Sequence, residues 1–244
     1  MSGAHGKRHK ENLTKVDREH EYTPLEAVSL IRSLSSAKFD ESVELHVRTG
    51  LNVRHADEQL RGTIALPNGL GKDVTVAVFA QGDKAKEAEQ AGADVVGAQD
   101  LAKRIQEGFD DFDVAIATPD LMNVVGQLGR ILGPSGKMPN PKVGTVTMDV
   151  AKAVEESKSG KVEYRTDRTA IVHLVIGKAS FDDRRLLENY AAVIEELVRA
   201  KPSAAKGRYL RTVTLTSTMG PGVKVDPSRT KDILEEAPAA SIAA

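Results

Sequence analysis

The spacing of apolar residues changes its period twice along this chain. Near the start, Leu25, Val28, Ile31 and Leu34 recur every third residue, which lines one face of a helix. Thr23 stands ahead of them as an N-cap, Pro24 takes the first helical position, and Glu26 completes a capping box. The pattern predicts a helix over Thr23–Leu34. Past Ser35-Ser36-Ala37 the period drops to two: Val43, Leu45 and Val47 alternate with Glu44, His46 and Arg48. That predicts a half-buried strand over Ser42–Thr49. Gly62–Leu66 predicts another strand, and Pro67-Asn68-Gly69 a turn and linker.

The middle of the chain loses the alternation. Val74–Phe79, Asp94–Val96 and Val114–Thr118 are short apolar runs, as expected of parallel strands buried on both faces. Helical stretches near Asp83–Ala91 and Asp100–Glu107 separate them, and Val150–Glu156 reads as a closing helix before a second linker at Ser157–Gly160. The last third returns to half-exposed strands, at Lys161–Arg165, Ala170–Ile176 and Arg211–Thr216. Ser180 and Asp183 read as a capping box for a helix reaching Arg199. Its core face is Leu186, Tyr190, Val193 and Leu197, with Ile194 and Val198 beside it. Residues from about 230 read as a disordered tail.

These elements give a mixed α+β and α/β fold in two domains. A split α+β domain is made of both chain ends, residues 1–67 and 160–229. A three-layer α/β domain, residues 68–159, is inserted into it. Residues 230–244 form the tail.

Charge sharpens the division. The chain of 244 residues has a formal net charge of −1. Residues 1–67 and 160–229 hold 23 Lys and Arg against 18 Asp and Glu, a net +5. Residues 68–159 come to −4, and the tail to −2. Two windows hold no acid at all: 197–225 carries Arg199, Lys201, Lys206, Arg208, Arg211 and Lys224, and 121–148 carries Arg130, Lys137 and Lys142. Cationic surface free of carboxylates suits a polyphosphate backbone; flexible loops that happen to lack acids are the plainer reading. With no cysteine there are no disulfides, zinc fingers or thiol nucleophiles. The first twenty residues have no apolar stretch to make a signal peptide, and no run approaches a membrane span. Cytoplasm is the expected location.

Two segments stand out. Gly126–Thr147, GQLGRILGPSGKMPNPKVGTVT, holds five glycines, three prolines and three basic residues. Such a loop could expose N–H groups to phosphates. It is not a nucleotide-binding P-loop: that pattern needs Gly where Ile131 stands and Ser or Thr where Met138 stands. A structural loop and an RNA contact both remain. The second segment, Thr216–Val223, TSTMGPGV, offers three hydroxyls, two glycines and Met219 directly after a strand. It reads as a contact to phosphate or ribose, or as a plain strand end. A third stretch, Lys38 and Phe39 ahead of the strand bearing Glu44, His46 and Arg48, could support RNA contact, although burial is the commoner fate of a Phe. The acidic run Asp110-Asp111-Phe112-Asp113 could suggest Mg²⁺ but fits a strand cap better. No nucleophile or acid–base set emerges, so an α/β enzyme using a nucleotide is the weaker reading, and no cofactor or metal is expected. With only five Phe, four Tyr and no Trp, the composition favours a folded RNA over stacked single strands.

The stretches AKFDESVELHV, LGRILGPSGKMPNPKVGTVT, GKVEYRTD and AKGRYLRTVTLTSTMGPGVKVD resemble those of the ribosomal protein L-one family, the proteins of the mobile stalk of the large subunit. The likeness runs from about residue 10 to 228, and AKPSAAKG is similar to the bacterial branch. The resemblance implies a split domain that binds the stalk region of large-subunit rRNA. It also implies help in releasing deacylated tRNA from the exit site, and repression of the chain's own operon mRNA. It implies no reaction and no cofactor, and a monomer away from the ribosome. The family's RNA contacts fall here on Lys38, Phe39, Ser42, Glu44, Arg165, Thr216, Thr218, Met219 and Gly220. A secondary face towards RNA or tRNA falls on Arg130, Lys137, Met138, Asn140 and Lys142. In that loop Ser135 and Lys137 stand where other members often show Arg and Leu.

Overall fold

A computed structural model of the chain describes residues 6–230 and Ile233. Its elements run α1 (Lys7–Thr14), α2 (Pro24–Leu34), β1 (Ser42–Thr49) and β2 (Arg61–Ala65). Next come β3 (Val76–Phe79), α3 (Asp83–Gln90), β4 (Val95–Gly97), α4 (Gln99–Gln106), β5 (Val114–Ala117), α5 (Met122–Gly126), α6 (Gly129–Leu132) and α7 (Val150–Lys158). The last are β6 (Lys161–Arg165), β7 (Ile171–Lys178), α8 (Asp183–Arg199), β8 (Leu210–Ser217) and β9 (Val223–Val225). The chain has a mixed α/β fold and divides into two compact units. Of the described residues, one unit comprises those up to Leu60, Leu66–Gly71 and those from Tyr164 on; the other comprises Arg61–Ala65 and Lys72–Glu163.

The first unit is an antiparallel sheet in the order β7-β1-β8-β9. Strict alternation decides which side is covered. Val43, Leu45 and Val47 of β1, Val172, Leu174 and Ile176 of β7, and Val213 and Leu215 of β8 are all buried. They meet the apolar faces of α2 and α8, which pack on each other and on the sheet. The other side of the sheet carries Glu44, His46, Arg48, His173, Thr214 and Lys224, half-buried or exposed. Asn189 of α8 is fully buried and fully used. Its Nδ2 donates to the carbonyls of Gly69 (3.0 Å) and Ile176 (2.7 Å), and its Oδ1 accepts from the Asn68 N–H at 3.0 Å. This anchors the segment Leu66–Gly71 against the helix.

The second unit has a parallel sheet, β4-β3-β5. All four residues of β3 are buried, because layers cover both its faces. Phe79, Ala115 and Ala117 face a cluster with Leu101, Ile105, Leu128 and Leu132. Val76, Val78 and Ile116 face Ala88, Val150 and Val154 of α3 and α7. β2 and β6 form a separate two-stranded sheet, with an Arg61–Glu163 ion pair at 2.7 Å. That pairing places Arg61–Ala65 in the second unit, whereas the sequence reading put it in the first.

Several local expectations change. The helix starting at Asp183 is capped by Asp182, whose carboxylate accepts from the Arg185 N–H, and not by Ser180. Ser180 instead donates to Asp40 at 2.7 Å, and Asp183 pairs with Arg32 and Ser29. Val198 is 44% exposed, beyond the edge of the helix's core face. Ser157 and Lys158 continue α7 where a linker was expected; the buried Ser157 hydroxyl donates to the Ala153 carbonyl at 2.7 Å. Gly126–Thr147 holds a helical turn at Gly129–Leu132 and a 3₁₀ turn at Pro141–Val143. α1 and β9 had no clear signal. α1 is nearly all polar and is docked by one buried amide, Asn12 Nδ2 to the Leu34 carbonyl at 2.9 Å. The tail expected over 230–244 lies outside the described residues except for Thr230 and Ile233.

Candidate nucleic-acid interface

The open side of the four-stranded sheet ends in two loops that are held together by one carboxylate. Glu41 is 2% exposed. Its Oε1 accepts the N–H groups of Ser36 and Ala37, each at 3.0 Å, and its Oε2 accepts the Met219 N–H at 3.0 Å. Burial alone would raise its carboxyl. The N–H groups of Met219, Ala37 and Ser36 outweigh this and hold it below the ordinary carboxylate value. The Ser217 hydroxyl adds to the effect, although it makes no hydrogen bond of good geometry. The carboxylate therefore ties the loop bearing Lys38 and Phe39 to the loop bearing Thr218, Met219 and Gly220.

The second tie is from strand to loop. The Ser42 N–H donates to the Thr218 hydroxyl at 2.9 Å, and the Thr218 N–H to the Ser42 carbonyl at 3.1 Å. Thr216 Oγ1 donates to the Ser217 carbonyl at 3.0 Å, turning the chain as β8 ends. At Gly220 a Cβ would meet the Ser217 hydroxyl, which would have to turn aside to admit it. These bonds consume the backbone groups and leave side chains outside. Phe39 is 55% exposed and Met219 is 59% exposed, and Lys38 is exposed without an ion pair among the described residues. Two exposed apolar side chains on tied loops beside a lysine can stack on bases or ribose while the cation meets phosphate.

Next to the loops, Lys178 Nζ donates to Ser42 Oγ at 2.9 Å. Glu44 lies opposite Thr216 in the register and 3.6 Å from His46 Nε2. The His46 and His173 rings meet across the β1–β7 pair, Nδ1 to Nδ1 at 2.9 Å. Burial, followed by the facing His173, lowers the affinity of His46 for a proton, and Glu44 opposes them.

Eight of the nine expected contact residues thus gather at one end of the sheet. Arg165 does not join them. It precedes Thr166, which bridges to Val172, and Val172 pairs with Val47 towards the far end of β1. It is exposed and makes no ion pair among the described residues. Glu41 and Lys178 were missed. Glu41 did leave a signal: it falls in phase with Val43, Leu45 and Val47, so a carboxylate was due on the buried side. Nothing in the local pattern pointed Lys178 at Ser42.

The loop of the second unit is less available than its glycines suggested. The N–H groups of Ile131, Leu132, Gly133, Gly136 and Lys137 all donate within the loop, so they form no phosphate cradle. Lys137 reaches Asp110 at 2.6 Å and is mostly buried over Phe112. Met138 packs on the core cluster, and Asn140 caps the 3₁₀ turn by accepting the Lys142 N–H at 2.8 Å. Arg130 and Lys142 stay exposed, with no ion pair among the described residues. Two of the acidic run's carboxylates are spent on structure: Asp110 pairs with Lys137, and Asp113 accepts from Thr75 and pairs with Lys72 at 2.7 Å. Among the described residues no group of three or more His, Asp or Glu could hold a metal ion, and no helix is long and apolar enough to cross a membrane.

A model of the ribosomal protein L1p/L10e family matches residues 31–221. The large ribosomal subunit protein uL1 of Rubrobacter xylanophilus is 62% identical over 224 residues, covering 91% of this chain and 97% of its own length. The match spans both the strand–loop site and the glycine-rich segment of the second unit, and on it the chain belongs to the ribosomal protein L1p/L10e family, structural rRNA-binding proteins of the ribosome and not enzymes.

Proposed function

We propose that the first unit is the RNA-binding domain and that it grips the stalk region of large-subunit rRNA through the paired loops and the adjoining sheet face. The second unit is the inserted domain, whose exposed Arg130 and Lys142 face RNA or exit-site tRNA. In this reading the chain works in the cytoplasm as a monomer until it joins the ribosome. It helps deacylated tRNA leave, and it represses its own operon mRNA by binding a similar RNA fold there.

The observation that carries the reading is the Glu41 clamp. A buried ionised carboxylate is costly unless it is fully hydrogen-bonded, and here its bonds serve to hold two loops in one geometry. The loops so held place the exposed Phe39 and Met219 together with Lys38 at one end of the sheet. A preset surface of this kind recognises a shaped RNA with little ordering cost on binding.

The test is binding to a stalk fragment of large-subunit rRNA over a salt series, with a scrambled hairpin as control. Tight binding that weakens with salt yet keeps its preference is the expected result. Met219→Ala and Phe39→Ala, both at exposed positions, are expected to reduce that preference without changing the fold. Equal weak binding to both RNAs would sink the proposal.

A further inference from the structure

We propose a second anion site in the first unit: a pocket ringed by four arginines, at the opposite end of β1 from the Thr218-Met219-Gly220 loop, which takes a backbone phosphodiester of the same RNA. It rests on the reading of the open sheet face as an RNA surface.

The pocket has a volume of about 240 Å³ and is lined by Arg48, Arg54, Arg168 and Arg211, with Asn52 and Thr169 among its polar residues and no carboxylate. None of the four guanidinium groups makes an ion pair among the described residues, in a chain whose acids slightly outnumber its bases. Guanidinium groups gathered without counter-charge repel one another. Planar donors in this arrangement match the oxygens of a phosphate.

Two local devices build the cluster. In the β1–β8 pair, Thr49 faces Leu210 and Arg48 faces Thr212, so Arg211 is the extra residue of a β-bulge. Both Arg211 and Thr212 are consequently exposed, where strict alternation would have hidden one of them. The bulge adds Arg211 to the lining that Arg48 already supplies. On the other side, Arg168 sits in the turn between β6 and β7. Ala170 ends that turn at φ +62°, a left-handed conformation that a residue with a Cβ adopts reluctantly. Its carbonyl is held by the Thr49 N–H at 2.9 Å and the Thr49 hydroxyl at 2.8 Å.

The neighbouring carboxylates are occupied elsewhere. Asp167 accepts from the N–H groups of Ile171 (2.7 Å) and Thr169 (2.8 Å) and lies near His173; despite some burial these partners hold its carboxyl down at about 2. Glu58 accepts the Asn52 N–H at 2.7 Å. Neither is among the residues lining the pocket. Along β1 the distance from Ser42 to Arg48 is about 20 Å at the usual strand rise. One folded RNA can therefore touch the loops with its bases and the arginines with its backbone.

The experiment measures stalk-fragment and scrambled-hairpin binding over a salt series for wild type, Arg54→Gln/Arg168→Gln and Met219→Ala. The double arginine variant is expected to bind roughly tenfold more weakly, with a log–log salt slope shallower by about 1 to 2 and an unchanged preference for the stalk. Met219→Ala is expected to lose preference and keep its slope. A double variant with wild-type affinity and slope overturns the four-arginine site while the main reading stands. A wild type with no preference overturns the main reading and this site with it. Pyrophosphate titration, followed by the backbone amide signals of Arg168 and Thr169, separates the two sources of phosphate. Saturation by pyrophosphate together with an unaltered RNA slope would mark a free-anion site and overturn the RNA assignment. Thermal melting of both variants shows that the fold is kept, and Arg54→Lys/Arg168→Lys, which retains both charges, is expected to keep the wild-type slope.

Discussion

Single residues do more here than their types announce. Glu41 is the clearest instance. As a carboxylate it accepts three N–H bonds; as Gln its amide nitrogen would face donors. Glu41→Gln is expected to cost about 2–3 kcal/mol in urea unfolding, the scale of charge-assisted bonds lost with a donor left unpaired, and to weaken stalk binding along with it. Unfolding unchanged by this substitution would mean that the clamp is ornamental. The same residue and His46 set an acid limit on stability. His46 holds its proton less readily than the usual 6.5 because of burial first and the facing His173 second, against the pull of Glu44. As pH falls through 6.5 the unfolded chain gains a proton that the folded chain refuses, so stability declines until the folded value is passed. Glu41, lowered from 4.5, acts in the same direction further down: its contribution is complete above 4.5 and is lost as pH drops through the folded value. Urea midpoints are expected to fall from pH 7.5 to pH 5, and His46→Gln to flatten the upper part of that decline. A wild-type midpoint level across the range would contradict the assignment for His46.

At the scale of elements, apolar periodicity carried the reading, and capping details did so only where both partners are close in the chain. β1 ran over Ser42–Thr49 as the alternation required, and α2 showed both halves of its capping box. Thr23 and Glu26 are local to one another, so a sequence can display the pair. The start of α8 was ambiguous, because Ser180, Asp182 and Asp183 all stand where a cap could be. What assigned them was long-range: Asp40 engages Ser180, and Arg32 and Ser29 engage Asp183, leaving Asp182 for the Arg185 N–H. Asp182→Ala is therefore expected to destabilise the protein by about 1 kcal/mol, the usual worth of an N-cap, read as a lower urea midpoint with unchanged slope. A value near zero would return the cap to another residue. β9, three residues long, has too few positions to show a period. In the Gly126–Thr147 segment Gly and Pro dominate the pattern and predict a loop, yet packing of Leu128 and Leu132 into the core stabilises short helical turns there.

For the whole molecule, the two compact units raise a question of independence. The first unit closes its core with α2, α8 and one sheet; the chain leaves it after Leu60, returns for Leu66–Gly71 and re-enters it at Tyr164. A chain with Arg61–Ala65 and Lys72–Glu163 each replaced by a short Gly/Ser linker is expected to fold cooperatively and to retain stalk preference. Failure to fold would argue against the first unit as a self-sufficient RNA-binding domain. The charge division points the same way, since the basic excess belongs to the chain ends and the acidic excess to the middle.

By itself the sequence determined the order of the main helices and strands, the change from alternating to continuous apolar runs, and the family through its long glycine–proline wording. Each of these depends on neighbours within a few positions, where side-chain period and turn chemistry act directly. Only the tertiary structure decided the roles that arise from residues far apart. Glu41 meets Met219 across 178 positions. Lys137 is withdrawn from the surface by Asp110, 27 residues away. Arg48, Arg54, Arg168 and Arg211 surround one pocket although the chain scatters them over more than 160 residues. Electrostatics and hydrogen bonding act through space, so the charge of a residue can be read along the chain, but whether that charge is paired, buried or free is settled only when the sheet brings its ends together.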